Sequence, residues 1–458
     1  MTTGKSIVRP AAEELSERLR GQVLLPGDDD FGLELEGFNQ ITEHSPDLMA
    51  VVAGAEDVRE AVGFAAARGM PVAVQATGHG PSTAADCGLL INTRRMRGVR
   101  IDPDARTARV AAGAQWFEVI EAAAEHGLAP LNGSSPLTGV IGYTLGGGLG
   151  LMARRYGYAA DRVTAVEIVT PDGESHRATA DRDTDLFWAV RGGKGNFGVV
   201  TALEFGLVPV SRLYGGGLYF AGEAAAEVMH AWRDWTPAVP EDLTSSLALL
   251  RLPDVEAIPP FLRGRLTVHV RIAHLGSAEE GKKLAEPLRA AGPLVADTLA
   301  DMPYTRCGEI HNDPTEPIPY SERSMMLREL DGAATDALLA LAGPSADCID
   351  LTVELRQLGG AVGRPPEVPN AVDHRDAAFA LSTLSLPDDR PPLVVDGMAA
   401  WGTGRRYLNF LASPDTADLA ESGYEPATFA RLAEIKAKVD PRNLFRFNHN
   451  IAPRPSGF

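Results

Sequence analysis

Between Gly139 and Gly150, six of the twelve residues are glycine: Gly139, Gly142, Gly146, Gly147, Gly148 and Gly150. Glycine lets a backbone approach another group closely and adopt conformations closed to other residues. An upstream loop, Gln75-Ala76-Thr77-Gly78-His79-Gly80, has the same character. Several backbone N–H groups aimed at one spot can hold a pyrophosphate without many cations. We therefore read the two loops as one cradle for a dinucleotide, with His79 beside its reactive ring. Neither is a nucleotide-triphosphate loop, because no Gly-Lys-Ser/Thr follows. The Gly146–Gly150 run also lacks the Rossmann spacing, and Leu137 to Leu145 before it is not a clean strand.

At 458 residues the chain is too long for one ordinary core, which predicts two domains. A net charge of −18 argues against a general nucleic-acid or anionic-membrane partner, since phosphates would be repelled. Cys87, Cys307 and Cys348 are far apart without CxxC spacing, so neither a disulfide framework nor a zinc site is expected. Reduced thiols and the absence of an apolar signal core after Met1 predict a cytoplasmic protein. No metal-spaced carboxylate and histidine cluster appears, so no metal is expected.

Periodicity predicts helices over Pro10–Arg20, Glu56–Arg68 with Gly69 as its stop, Gln115–His126 and Asp183–Val190. Strands are expected over Leu48–Val52, Pro71–Val74, Leu89–Asn92, Thr107–Ala111, Thr164–Thr170 and Phe197–Phe205. This is an α+β pattern up to about residue 206. In the middle, strands over Leu243–Leu250, Leu266–Ile272, Cys348–Leu355 and Ala377–Leu384 alternate with helices Ser277–Ala291 and Thr335–Ala342, Thr335 being the expected N-cap. That order predicts an antiparallel sheet covered by helices. A last helix, Ala427–Val439, ends before Asp440-Pro441. Trp232 and Trp235 read as core or interface, and His269 and His274 as ordinary strand residues.

Four motifs in order resemble one family. Gln75 to Ser82 is similar to the Arg-Ser-Gly-Gly-His-type loop of FAD-linked oxidases in the vanillyl-alcohol oxidase superfamily, and Asn132 to Gly150 to their second glycine motif. Asp185-Leu186-Phe187-Trp188-Ala189-Val190-Arg191-Gly192-Gly193-Lys194-Gly195-Asn196-Phe197-Gly198-Val199-Val200-Thr201 resembles the next signature. Tyr407-Leu408-Asn409-Phe410, Asp440-Pro441 and Asn448-His449-Asn450-Ile451 resemble the berberine-bridge-enzyme C-terminal segment of bacterial members.

The resemblance implies a two-domain PCMH-type FAD-binding fold of two α+β subdomains plus a substrate domain with a helix-covered antiparallel sheet. FAD would be bound by residues 1–206 (core about 40–206) and completed by 405–458, with 207–404 holding substrate. His79 takes the position of the histidine bonded to the flavin 8α carbon. Gln75, Ala76, Thr77, Gly78, Gly80, Ser82, Ser135, Leu137, Thr138, Gly139, Gly142, Tyr143, Gly147, Gly148, Leu149, Gly198, Val199, Val200, Asn448 and Asn450 are the other expected FAD contacts. The implied reaction is hydride transfer from an alcohol, amine or natural-product intermediate, with O₂ as acceptor giving H₂O₂. An oxidative cyclase and a flavin carrier without turnover are the alternatives. The expected partners are a small-molecule substrate and molecular oxygen, a homodimer being left open.

The departures from the family pattern are specific. Ser135 stands where doubly linked members have cysteine, and a hydroxyl is far less nucleophilic than a thiolate, so one covalent link is expected. Gln75 replaces the loop arginine. Thr138, three residues after Ser135, is small where bulk restricts oxygen, which favours an oxidase. Phe410 replaces the tyrosine that serves relatives as base, and the glutamate of plant relatives aligns near Leu381. Tyr407, Tyr143, Glu354 and Arg356 remain as catalytic candidates. Glu354 and Arg356 alternate with Val353 and Leu355 and share the face opposite the apolar one, either toward the flavin or as a surface ion pair.

Overall fold

The computed structural model describes residues 5–80, 83–256 and 258–454. Three sheets organise them. The first has the order β1 (Gln22–Leu24), β2 (Leu48–Val51), β4 (Leu89–Asn92), β3 (Val72–Gln75), with β2, β4 and β3 mutually parallel. Every residue of β2 and β4 is buried, as parallel strands covered on both faces require. Helix Ala55–Arg68 lies against them and stops at Gly69, which adopts φ +62° as a left-handed cap. β3 leads directly into the His79 loop.

The second sheet is antiparallel, in the order β5 (Val99–Asp102), β6 (Thr107–Ala111), β9 (Val199–Gly206), β7 (Val163–Val169), β8 (Ser175–Ala178). Its core joins Val110, Trp116, Leu203 and Phe205 to Leu432 and Ile435 of helix Pro426–Val439, so the C-terminal helix packs with N-terminal strands.

The third sheet holds β10 (Arg212–Ala221), β11 (Leu243–Arg251), β12 (Leu266–His274), β13 (Leu294–Asp297), β14 (Ala300–Pro303), β15 (Ser321–Leu327), β16 (Thr352–Gln357) and β17 (Phe379–Ser385). The order is β13-β10-β12-β11-β16-β17-β15, with β14 also on β10, and all pairs are antiparallel. One face is apolar. Leu218, Phe220, Val268, Val270, Leu247, Leu249, Val353, Leu355 and Leu381 pack there against Val228 and Trp232 of helix Ala225–Trp235 and Leu338 of helix Gly332–Ala342. Each such aliphatic or phenyl side chain contributes about 1.5–3 kcal/mol when fully buried. Leu381 therefore points to the helix layer. Trp232 is core, donating from Nε1 to Ser245 Oγ at 2.8 Å, and Trp235 is core beside it.

Several elements differ from the sequence expectation. The first helix spans Lys5–Ser16 rather than Pro10–Arg20. Thr335 is not an N-cap. Asp331 caps the helix, accepting from Ala334 N–H at 2.7 Å, while the Thr335 hydroxyl donates to the Asp331 carbonyl one turn in. β10 has no counterpart in the sequence reading because Gly215-Gly216-Gly217 breaks its pattern. The reason for one of these glycines lies in β12: a Cβ on Gly217 would stand 2.0 Å from His269 Nε2. β15 and helix Ala225–Trp235 also went unread, β15 because it begins with the polar run Ser321-Glu322-Arg323-Ser324. Among the described residues no helix is long and apolar enough to cross a membrane.

The C-terminal segment is clasped by Asn196. Its Oδ1 accepts from Ile451 N–H at 2.9 Å, and its Nδ2 donates to the carbonyls of Gly193 and His449. Fully buried Lys436 donates to Asn196 O, Phe445 O and Asp440 Oδ2. Asn196→Ala leaves several buried polar groups without partners and should cost about 2–4 kcal/mol. Urea denaturation should read that loss, together with earlier proteolysis of the segment after Val439.

Candidate active site

The three sheets surround one cavity of about 1000 Å³. Its first wall is the loop after β3. Thr77 and Gly78 turn their carbonyls outward, to Phe38 N–H at 2.9 Å and Asn39 N–H at 3.0 Å. Each trans peptide is planar, so the N–H groups of Gly78 and His79 point the other way, and both residues line the cavity. Gly78 has φ +67°, and a Cβ there would come within 2.6 Å of Gly37 Cα, so glycine alone fits this crossing. The His79 ring stacks on Phe38 with centroids 4.1 Å apart and planes 3° off parallel. Its Nδ1 shares a 2.9 Å hydrogen bond with Thr77 Oγ1. Its Nε2 is buried and has no partner among the described residues. Burial lowers the imidazole pKa to about 4, so the ring is neutral at ordinary pH.

The second wall is the glycine-rich stretch. Gly139 N–H donates to Thr77 Oγ1 at 3.3 Å, which ties the two loops together. Ser135, Thr138, Gly139, Gly142, Tyr143 and Leu149 line the cavity. Gly147 and Gly148 do not: their carbonyls accept from Ala160 and Ala159 N–H, and the backbone is drawn into the protein. Leu137 also lies outside the lining, its carbonyl taking a 2.7 Å bond from Gln115 Nε2. On β9 alternation sets Val200 toward the cavity and Val199 into the core behind the first sheet. Asn448 lines the cavity, but His449 rather than Asn450 accompanies it. Gln75, Ala76, Gly80 and Gly198 line the cavity, whereas Ser82 lies outside the described residues.

The polar face of the third sheet closes the far side. Ser246 on β11 stands opposite both Arg271 and Arg356, so the two guanidiniums flank it. Glu354 joins them. Its Oε1 accepts from Arg271 Nη1 at 2.6 Å and its Oε2 from Arg356 Nε at 2.9 Å, while His311 Nε2 stands 3.4 Å from Oε1. Arg271 Nε donates in turn to His269 Nδ1 at 3.1 Å, and His269 stacks on Tyr219 at 3.9 Å. Burial alone would raise the Glu354 pKa, but Arg356 and Arg271 outweigh it and hold the carboxyl well below its ordinary value. Glu354 and Arg356 are thus a buried pair facing the cavity, not a surface one.

Two other catalytic candidates are less available. Tyr407 is outside the lining, its hydroxyl accepting from Leu149 N–H at 2.9 Å. Tyr143 lines the cavity with an unpartnered hydroxyl, and burial pushes its pKa well up, so it keeps its proton.

The sequence reading missed Glu322, Tyr320 and Asp313, which sit in or before the unread β15, and Lys194, which lay inside a motif quoted for its glycines. Lys194 donates to Leu408 O at 3.1 Å, and burial lowers its pKa to about 8.

These walls fit a flavin dinucleotide. The first loop offers N–H groups and a single unpartnered imidazole nitrogen, and the cavity extends from there to the charged sheet face. The comparisons agree. Residues 46–179 match the model for an FAD binding domain, and residues 406–452 the model for berberine and berberine like proteins. (R)-6-hydroxynicotine oxidase of Paenarthrobacter nicotinovorans is 28% identical over 96% of this chain and 98% of its own length. Chitooligosaccharide oxidase of Gibberella zeae is 24% identical over 91% and 89%. The crystal structure of 6-hydroxy-D-nicotine oxidase from Arthrobacter nicotinovorans superposes with a TM-score of 0.82 at 25% identity, covering 95% of this chain and 98% of that one. The protein is an FAD-dependent oxidoreductase. It carries the FAD-binding and berberine-like segments that those models describe.

Glu354→Gln leaves two buried guanidiniums uncompensated and should destabilise the fold by about 3–5 kcal/mol at neutral pH. The Glu354 pKa is lowered on folding, so its stabilisation is present above the ordinary value of 4.5 and is lost as pH falls below it. Melting curves from pH 7 down to pH 3 should show wild type converging on the variant.

Proposed function

We propose that the protein is an oxidase that carries FAD on one covalent bond, from His79 to the flavin 8α carbon, and uses O₂ as acceptor with release of H₂O₂. The observation that carries the reading is His79 Nε2: buried, unpartnered, on a neutral ring, at the wall formed by the glycine loops. With Nδ1 donating to Thr77 Oγ1, the lone pair rests on Nε2, which makes it the nucleophile. Phe38 holds the ring plane and Tyr320 anchors the loop, its hydroxyl donating to His79 O at 2.7 Å. Ser135 is the poorer nucleophile on the opposite loop and stays unlinked.

When bound, the flavin supplies the hydride acceptor. The protein's own part is to bind, orient and exclude water. Gly78 and His79 present backbone N–H groups, and Arg271, Glu354 and Arg356 fix the polar end of the substrate. Thr138 leaves room for oxygen. We further propose that residues 1–206 and 405–458 form the cofactor module and 207–404 the substrate module. The shared core of Val110, Leu203 and Leu432 supports this division. The three free cysteines suit a reduced, cytoplasmic setting. Phe410 in place of the tyrosine base keeps oxidative cyclisation as the second reading.

Acid precipitation should leave the yellow colour in the wild-type pellet and release it from His79→Ala. Peptide mass analysis should find flavin on the His79 peptide only; attachment at Ser135 would reject the single link. With 6-hydroxynicotine, chitooligosaccharides and simple alcohols and amines as a panel, oxygen consumed should equal peroxide formed.

A further inference from the structure

Two glutamates face the cavity from the third sheet, and their surroundings are opposite. Glu354 is clamped between two guanidiniums. The carboxyl of Glu322 makes no hydrogen bond or ion pair with the described residues. Its backbone pairs with Ala412, two residues beyond Phe410, so it sits beside the position the missing tyrosine would occupy. It is also two residues from Tyr320, which bonds the His79 carbonyl. Glu322 thus stands on the sheet edge nearest the His79 loop.

We propose that Glu322 is the proton acceptor for a hydroxyl on the carbon that is oxidised, and that the substrate is accordingly an alcohol rather than an amine. The inference rests on the oxidase reading. Other candidates fail on chemistry: Phe410 has no basic atom, Tyr143 keeps its proton, Tyr407 is outside the lining, and Glu354 is too weak a base. The groups facing Glu322 are Arg356 and Glu354 on β16, Asp313 on the segment before β15, Lys194 on the loop after helix Thr184–Val190, and Tyr320 immediately before β15. Burial dominates, and the Glu322 pKa rises to about 8. A carboxyl titrating there is matched to proton abstraction near neutral pH.

Arg356 decides between substrate classes. Its guanidinium lies 4.7 Å over the Phe410 ring and is coupled electrostatically to Glu322. A cation there stabilises a developing alkoxide and repels an ammonium. In the step, the substrate O–H and C–H bonds break and a C=O bond forms. The proton goes to the Glu322 carboxylate, and the hydride leaves with its electron pair to FAD. O₂ then takes up the two electrons with two protons to give H₂O₂.

Two measurements keep failure of this inference apart from failure of the oxidase reading. Infrared difference spectra of wild type minus E322Q should show a protonated carboxyl band that fades as pH rises through about 8; its absence, or a fading near the ordinary carboxylate range, overturns the assignment with no substrate needed. Anaerobic flavin reduction is then followed with the panel above, with benzyl alcohol and benzylamine as a matched pair. E322Q should reduce at least about 100-fold more slowly, with substrate affinity changed less than about threefold and the rise with pH abolished. E322D should recover part of the rate and keep the rise. Retained flavin and an unchanged melting curve at pH 5 show that E322Q is folded. A variant within about threefold of wild type, or a flavin bleached by benzylamine and not by alcohols, overturns the proposal. A wild-type flavin that no panel member bleaches defeats the oxidase reading instead, and the infrared arm decides Glu322 alone.

Discussion

The carboxylate of Glu354, shared between Arg271 and Arg356, is the interaction on which the far wall of the cavity depends. A strand alternates its side chains, so a sheet that packs helices on one face must put something on the other. Here that other face carries charge and is itself buried. Neutralisation has to happen within the sheet, between neighbouring strands, and the register that sets Ser246 opposite both arginines accomplishes it. The apolar face supplies the stability; the polar face, once its charges are paired, supplies a fixed set of donors.

The same logic governs what could be read in the sequence. Elements with an unambiguous period were legible nearly to the residue: β4 and β6 span Leu89–Asn92 and Thr107–Ala111 as expected, and the Gly69 stop adopts the backbone that glycine permits. The glycine loops and His79 were legible because backbone approach demands glycine at particular places. β10 and β15 were not. Their patterns are set by partners distant in sequence: the His269 ring fills the space over Gly217, and the cavity makes the start of β15 polar. Glu322 was hidden for that reason. Its environment is created by strands 30 residues or more away along the chain, and no local spacing carries that information. Within the loops, Leu137, Gly147, Gly148 and Val199 share the motif but not the wall, because alternation and neighbouring amides turn them away from it.

The cavity needs three parts of the chain at once. β3 brings His79, the stretch after helix Trp116–Ala124 brings the second loop, and the segment after helix Pro426–Val439 brings Asn448 and His449. Thr77 links the first two through its hydroxyl, and Asn196 links the third. These are single, buried, directional contacts, so small changes in them are felt at the cofactor.

The Asn196 clasp has a consequence for the order in which the protein is assembled. The segment it grips lies 255 positions downstream at Ile451, among contacts of very long sequence separation. Such contacts form late, because the loop they close must first be brought together. The His79 loop and the glycine stretch can take shape while the ribosome is still working through the third sheet. The wall supplied by Asn448 and His449 cannot. Capture of FAD thereby waits for a contact 255 positions long in sequence, which brings Asn448 and His449 to the pocket.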